Sequence, residues 1–320
     1  MRIDPQVGAL RGDSAARRAM QLALEAARDE WLGGAAADAA AELERYGEGT
    51  LLQDCPQLLA LTTREGAALT LIEALIGPML EQLAANPLGH VPLRHQRSDN
   101  VATIQLLRAG RAALSLLAYD EAEAKPASAS FSDGERHEIL LAGALDVAFL
   151  DIIDETGNGA SIETTGRRLV AGEVITCVGE RSTRIVKQVH GRCVMLRLAR
   201  SSENPSDTRQ FSFLDGRLIH RSSGSRTDSR HEMAMAVLGR MGRKDAAPIL
   251  AELAMEGGNH IRWQSLRECL ALDTATGFMA LIKIAADPSD PLSTPAGALR
   301  ASLLETHPQL AQLEALQCPA

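Results

Sequence analysis

Histidines are the first residues whose chemistry needs an explanation. The chain carries eight of them, and "HVPLRH" sets His90 and His95 five apart, while His137, His190 and His220 fall in a later segment of β character. Three imidazoles converging in a fold would hold a divalent metal such as Fe, Ni, Mn or Zn with positions open for substrate. His90, His95, His137 and His190 are therefore the candidate ligands of a metal-dependent enzyme. Their spacing follows no ligand motif, which favours His137 as a strand-surface residue and His190, before Gly191, as a turn residue. No Gly-x-Ser-x-Gly elbow, phosphate loop, GxGxxG or HExxH occurs in the sequence. Cys177 in "VITCVG" and Cys193 in "GRCVML" sit in apolar strand contexts, where a buried inert thiol is the ordinary outcome.

Composition narrows the partners. Aromatic residues make up 3% of the chain, which leaves little to stack bases and disfavours nucleic-acid binding. Net charge is −8, but it is uneven: residues 1–88 hold seven Arg against thirteen acids, and residues 166–230 hold thirteen Lys and Arg against six acids. The basic stretch reads as a solvated surface, with small anionic ligands as the alternative partner. Five scattered cysteines without a CxxC fit a reducing compartment. The opening "MRIDPQVGALRGDS" has no apolar signal core, and no apolar run approaches the roughly 20 residues of a membrane span. A cytoplasmic protein without a membrane partner is expected.

The elements that must position these residues fall into three segments: 1–88, 89–226 and 227–320. The first is helical, with Gly47 expected to stop "AADAAAELERYG" and Thr62 with Glu65 expected as a capping box before "GAALTLIEALIGPMLEQLAA". From about residue 101 the apolar period changes from 3.6 to 2, and roughly ten short strands are expected. Turns are read at Ala109–Gly110, Asp133–Gly134, His190–Gly191 and Asp215–Gly216. The third segment is helical again and repeats itself: a shift of 31 residues lays Ala234 on Ser265 and Ala296, and Met241 on Leu272 and Leu303.

With glycines and alternation in hand, the β segment resembles a cupin over residues 101–224, and residues 230–313 resemble HEAT-like helical repeats. The cupin resemblance implies an antiparallel barrel or jelly roll with two ligand-bearing segments, E-x6-G after an HxH and G-x5-P-x-G-x2-H-x3-N. With Gly143 closing the first, the glutamate position holds Arg136, and the HxH pair falls on Ala129 and Phe131 or on Ser130 and Ser132. With Gly172 opening the second, the proline, glycine, histidine and asparagine positions hold Val178, Glu180, Thr183 and Lys187. The backbone pattern agrees and the metal chemistry does not. The register would instead aim Arg136, Thr183, Lys187, Ser130 and Ser132 into the barrel, a set suited to an anion because arginine grips carboxylate or phosphate bidentately.

The expected fold class is α+β and multidomain: N-terminal helices, a central cupin-like antiparallel barrel, and a C-terminal HEAT-like solenoid fragment. The expected function is a non-catalytic ligand-binding or scaffold protein without a cofactor. Its barrel would take a small anion, and its helical segments a protein partner or a second copy. The alternative is a metal-dependent cupin-type dioxygenase or isomerase using the histidines named above.

Overall fold

The computed structural model describes residues 14–86, 89–98, 100–123 and 125–315; the opening stretch and the expected boundary at residue 88 fall outside them. The chain divides into two compact units, Met1–Arg221 and Ser222–Ala320. The helices expected as a separate N-terminal segment belong to the same unit as the strands.

Among the described residues four helices open the first unit: α1 (Ser14–Gly33), α2 (Ala37–Glu48), α3 (Pro56–Thr63) and α4 (Glu65–Ala85). Two sequence expectations are corrected here. Gly47 lies inside α2, and Gly49 with φ +127° caps it. Gly47 serves close approach, since a Cβ there would lie 2.5 Å from the Ala109 carbonyl oxygen. Thr62 belongs to the last turn of α3, and its hydroxyl donates to the Leu58 carbonyl at 2.9 Å, so α4 starts after Arg64 with no side-chain cap. A third correction concerns α4, which is long and apolar enough to cross a membrane by length and composition. Glu65, Glu73 and Glu81 break the run when read residue by residue. Its Ala68, Leu71, Ile72, Leu75 and Met79 are buried, while Ile76 and Leu80 are exposed.

Eleven strands follow among the described residues. The larger sheet runs β1 (Arg94–Ser98), β2 (Val101–Ala109), β3 (Ala112–Tyr119), β9 (Ser182–Arg200), β6 (Glu135–Thr156) and β7 (Gly159–Val170). β4 (Ala122–Glu123) joins β9, and β8 (Val174–Val178) joins β6. β5 (Ser128–Phe131), β10 (Thr208–Ser212) and β11 (Leu218–Ser222) make a second sheet. The pairs β1–β2, β2–β3, β3–β9, β4–β9, β6–β7, β6–β8, β6–β9 and β5–β10 are all antiparallel.

β6 and β9 are paired along almost their whole length, and the pairing skips at Leu141, at Gly143 and again between Asp146 and Val147. His190–Gly191, expected as a turn, is part of this irregular stretch inside β9, since a positive-φ glycine serves a bulge as well as a turn. The bulge changes which side of β6 faces inward. Before it, Ile139 and Leu141 pack with α1–α4 and Leu140 packs the opposite way. Leu140 and Leu145 share one cluster although five residues apart, a spacing that would put them on opposite faces of a regular strand. Three cores result. Trp31, Tyr46, Leu58 and Ile72 meet Leu114, Ile139 and Leu198. Leu140, Leu145, Leu169, Val189 and Met195 form the second, and Phe131, Leu150, Ile152 and Phe211 the third.

The second unit is helical: α5 (Arg226–Arg240), α6 (Ala247–Leu253), α7 (Asn259–Leu272), α8 (Thr274–Ala286), α9 (Ser293–Thr306) and α10 (Ala311–Ala315). Asp273 caps α8 by accepting from the Ala275 and Thr276 amides. The 31-residue shift holds for Ser265 and Ala296, both fully buried. It fails on α5, where Ala234 is exposed and the neighbouring Met235 is buried against the Ser265 hydroxyl at 2.9 Å.

Candidate functional site

At one end of β6 a charged cluster is buried among apolar side chains. Glu138 is 2% exposed, and it lies in the run "RHEILL", where a strand side chain between Ile139 and His137 must face the second core. A buried carboxylate requires cations. Arg184 of β9 supplies two N–H groups, from Nε and, at 2.8 Å, from Nη2, and Arg197 of β9 donates from Nε at 2.5 Å. Burial alone would raise the Glu138 pKa, but Arg184 and Arg197 outweigh it and hold the carboxyl down at about 2. Arg184 Nη2 also contacts Met195 Sδ at 3.1 Å.

Arg136, two residues earlier and therefore on the same side of the strand, is half-buried beside this group. Its Nη2 donates to the buried Thr183 hydroxyl at 3.0 Å, and among the described residues it makes no ion pair. Burial lowers its pKa from the ordinary arginine value, with Arg197 and Arg184 adding to that. Three guanidiniums thus gather around one carboxylate that only two of them touch, and arginine keeps its charge at neutral pH. Cys177 pairs with Arg136 across the strands, and burial pushes its thiol above the ordinary value, as it does for Cys193. Both thiols stay protonated near neutral pH.

The structure brings together two of the five residues expected in the barrel, Arg136 and Thr183. Lys187 lies elsewhere, with Nζ 5.3 Å from the centre of the Phe213 ring. The reason is local: Asp146 pairs with Gln188 and Val147 with Val186, so Lys187 is the extra residue of a bulge. Ser130 is exposed on β5, opposite Gln210 of β10, and Ser132 is half-buried just past that strand. The residues that sequence reasoning missed are Glu138, Arg184 and Arg197. The signal was present in a lone glutamate inside an apolar strand, which predicts an arginine across from it.

The candidate metal ligands stay apart. His95 Nδ1 lies 3.0 Å from the Leu93 carbonyl oxygen, and His137 sits between Thr176 and Glu135. His190 Nε2 is 2.8 Å from both Asp146 Oδ2 and Arg168 Nη2. His90 takes part through its backbone, its amide donating to Gln21. Among the described residues no three His, Cys, Asp or Glu side chains converge as a metal would need.

No protein-family profile matches the sequence, and no curated protein matches it. Solved structures similar to part of the chain include the capsular polysaccharide assembling protein CapF from Staphylococcus aureus. That likeness has 14% identity over 40% of this chain and 34% of that chain, with a TM-score of 0.27. A cupin superfamily protein from Desulfitobacterium hafniense shares 18% identity over 33% of this chain and 83% of that chain, TM-score 0.23. The Drosophila melanogaster CENP-C cupin domain shares 13% identity over 33% and 74%, TM-score 0.27. The chain spans about a third of the length of the CapF structures it matches. Cupin structures are thus among its neighbours, and the fold rests on the strand pairing described above.

Proposed function

We propose that the β unit is a cupin-like barrel that binds a small anion through Arg136, with Thr183 beside it, and that it works as a binding or scaffold protein in the cytoplasm. One observation carries the reading: a half-buried arginine without a carboxylate partner among the described residues, next to two further guanidiniums that already share Glu138. An anion seated there would give Arg136 the charge-assisted hydrogen bonds it lacks. No catalytic role and no resident metal belong to this reading. The helical unit, read as a HEAT-like fragment, supplies the surface for a protein partner or a second copy. What supports that half is α5 with its C-cap Met241: Met233, Val237 and Met241, four apart in sequence, are 64%, 55% and 62% exposed.

Thermal unfolding in inorganic phosphate, sulfate and malonate tests the anion site. An anion at 100 times its dissociation constant stabilises by about 2.7 kcal/mol. A rise in melting temperature that disappears in Arg136→Ala and shrinks in Thr183→Val supports the site. Equal stabilisation of the parent and Arg136→Ala refutes it.

A further inference from the structure

The bulged lysine that leaves the barrel enters a different concavity. A cleft of about 500 Å3 is lined by Ile162 and Thr164 of β7, Leu150 of β6, Lys187 of β9, and Phe213 and Asp215 of the turn between β10 and β11. That volume lies within the range of small-molecule sites. Leu150 is 1% exposed and forms an apolar floor, with Ile162 and Phe213 half-buried around it. The Lys187 ammonium stands over the Phe213 ring and makes no hydrogen bond or ion pair among the described residues. An ammonium has three donors, and the ring steadies it from one side, so its N–H groups are free for an acceptor. Asp215, the carboxylate of the cleft, is already engaged: it accepts from the Arg217 amide at 3.2 Å and lies 3.7 Å from the Arg217 guanidinium.

We infer that this cleft is a second ligand site, separate from Arg136, that takes an organic acid with a flat apolar body. The anionic head lies on Lys187 Nζ, with the Thr164 hydroxyl as a further donor, and the body rests on Ile162, Leu150 and Phe213. Such a ligand satisfies the Lys187 ammonium and covers the apolar floor of the cleft, which a bare inorganic anion would leave wet.

Titration of the full chain with 8-anilinonaphthalene-1-sulfonate, followed by its fluorescence, tests the inference because the probe joins a sulfonate to flat rings. The parent is expected to give saturable binding. Lys187→Met is expected to weaken it about tenfold and Lys187→Glu further, as loss of one charge-assisted contact requires. Arg136→Ala and Leu80→Asp, the latter in the separate apolar groove beside α4, are expected to leave it unchanged. Lys187 is exposed, so its variants keep the fold, which circular dichroism verifies. Binding that survives Lys187→Glu at parental affinity overturns the inference. So does binding lost in Leu80→Asp or Arg136→Ala instead, or no saturable binding by the parent.

Discussion

Glu138 offers the sharpest test of how the charged cluster is held. In Glu138→Gln the shape is kept and the charge is lost, leaving Arg184 and Arg197 without a counter-ion. The two arginines should respond unequally. The Arg197 side chain is 28% exposed and can return to water, whereas the Arg184 side chain is 5% exposed and cannot. Stranding one buried charge costs about 3–5 kcal/mol. With only Arg184 fully stranded, the expected loss is near the lower end, about 3 kcal/mol. The double variant Glu138→Leu with Arg184→Met removes both buried charges and should recover to within about 1 kcal/mol of the parent, because apolar replacement of a buried pair is often neutral. Urea unfolding followed by Trp31 fluorescence reads this directly. Trp31 is 4% exposed in the core that joins the helices to the sheet, and a Trp263→Phe background silences the second unit. A Glu138→Gln loss below about 1 kcal/mol, or a double variant no better than the single, would refute the reasoning.

Three further outcomes follow from the geometry. Glu138 and Glu135 both have folded pKa values depressed to about 2 from 4.5, the former by Arg184 and Arg197 against burial, the latter first by its hydrogen bond with His137. Their stabilisation is therefore complete above pH 4.5 and lost as pH falls from there towards 2, worth roughly 3 kcal/mol for Glu138; denaturant titrations across that range should show the decline, and Glu138→Gln should flatten it. Gly143→Ala places a Cβ 2.5 Å from the Arg192 carbonyl oxygen at φ +84°, and should cost about 2 kcal/mol or more, read as a lowered melting temperature of the first unit. Arg262, 8% exposed, donates to the Ala254 carbonyl at 3.0 Å and to Asp290 at 3.1 Å; Arg262→Met should lower the stability of the helical unit by about 2–4 kcal/mol, seen by Trp263 fluorescence and not by Trp31.

Much of the fold was legible because its signals are local. The change of period near residue 101 marked the strands, and Gly110, Gly134 and Gly216 sit at positive φ where turns were read. Where the sequence misled, a tertiary contact had decided the matter. Gly47 looks like a helix stop until the Ala109 carbonyl is placed against it, and Gly191 looks like a turn until β9 is seen running through it. The site divided along the same line. Arg136 and Thr183 meet because the pairing of β6 with β9 carries both to one end, whereas the bulge at Lys187 depends on two strands skipping register together. No pattern within either strand alone encodes that skip. Glu138 signals that some arginine must face it, but which ones is hidden for a similar reason, since Arg184 and Arg197 lie 46 and 59 residues away.

β6 contributes to all three cores of the first unit: Ile139 to the helix-facing core, Leu140 and Leu145 to the second, and Leu150 and Ile152 to the third. The layers are thus threaded on one strand and cannot melt independently, which makes the unit a single cooperative block in spite of its length. The four helices are no detachable appendage. Trimming the chain at the beginning of the strands would uncover Leu106, Leu114, Ile139, Leu196 and Leu198 at once, a continuous apolar surface prone to aggregation. Engineering that respects this block would place insertions or tags at Glu203 and Asn204, exposed in the loop between β9 and β10.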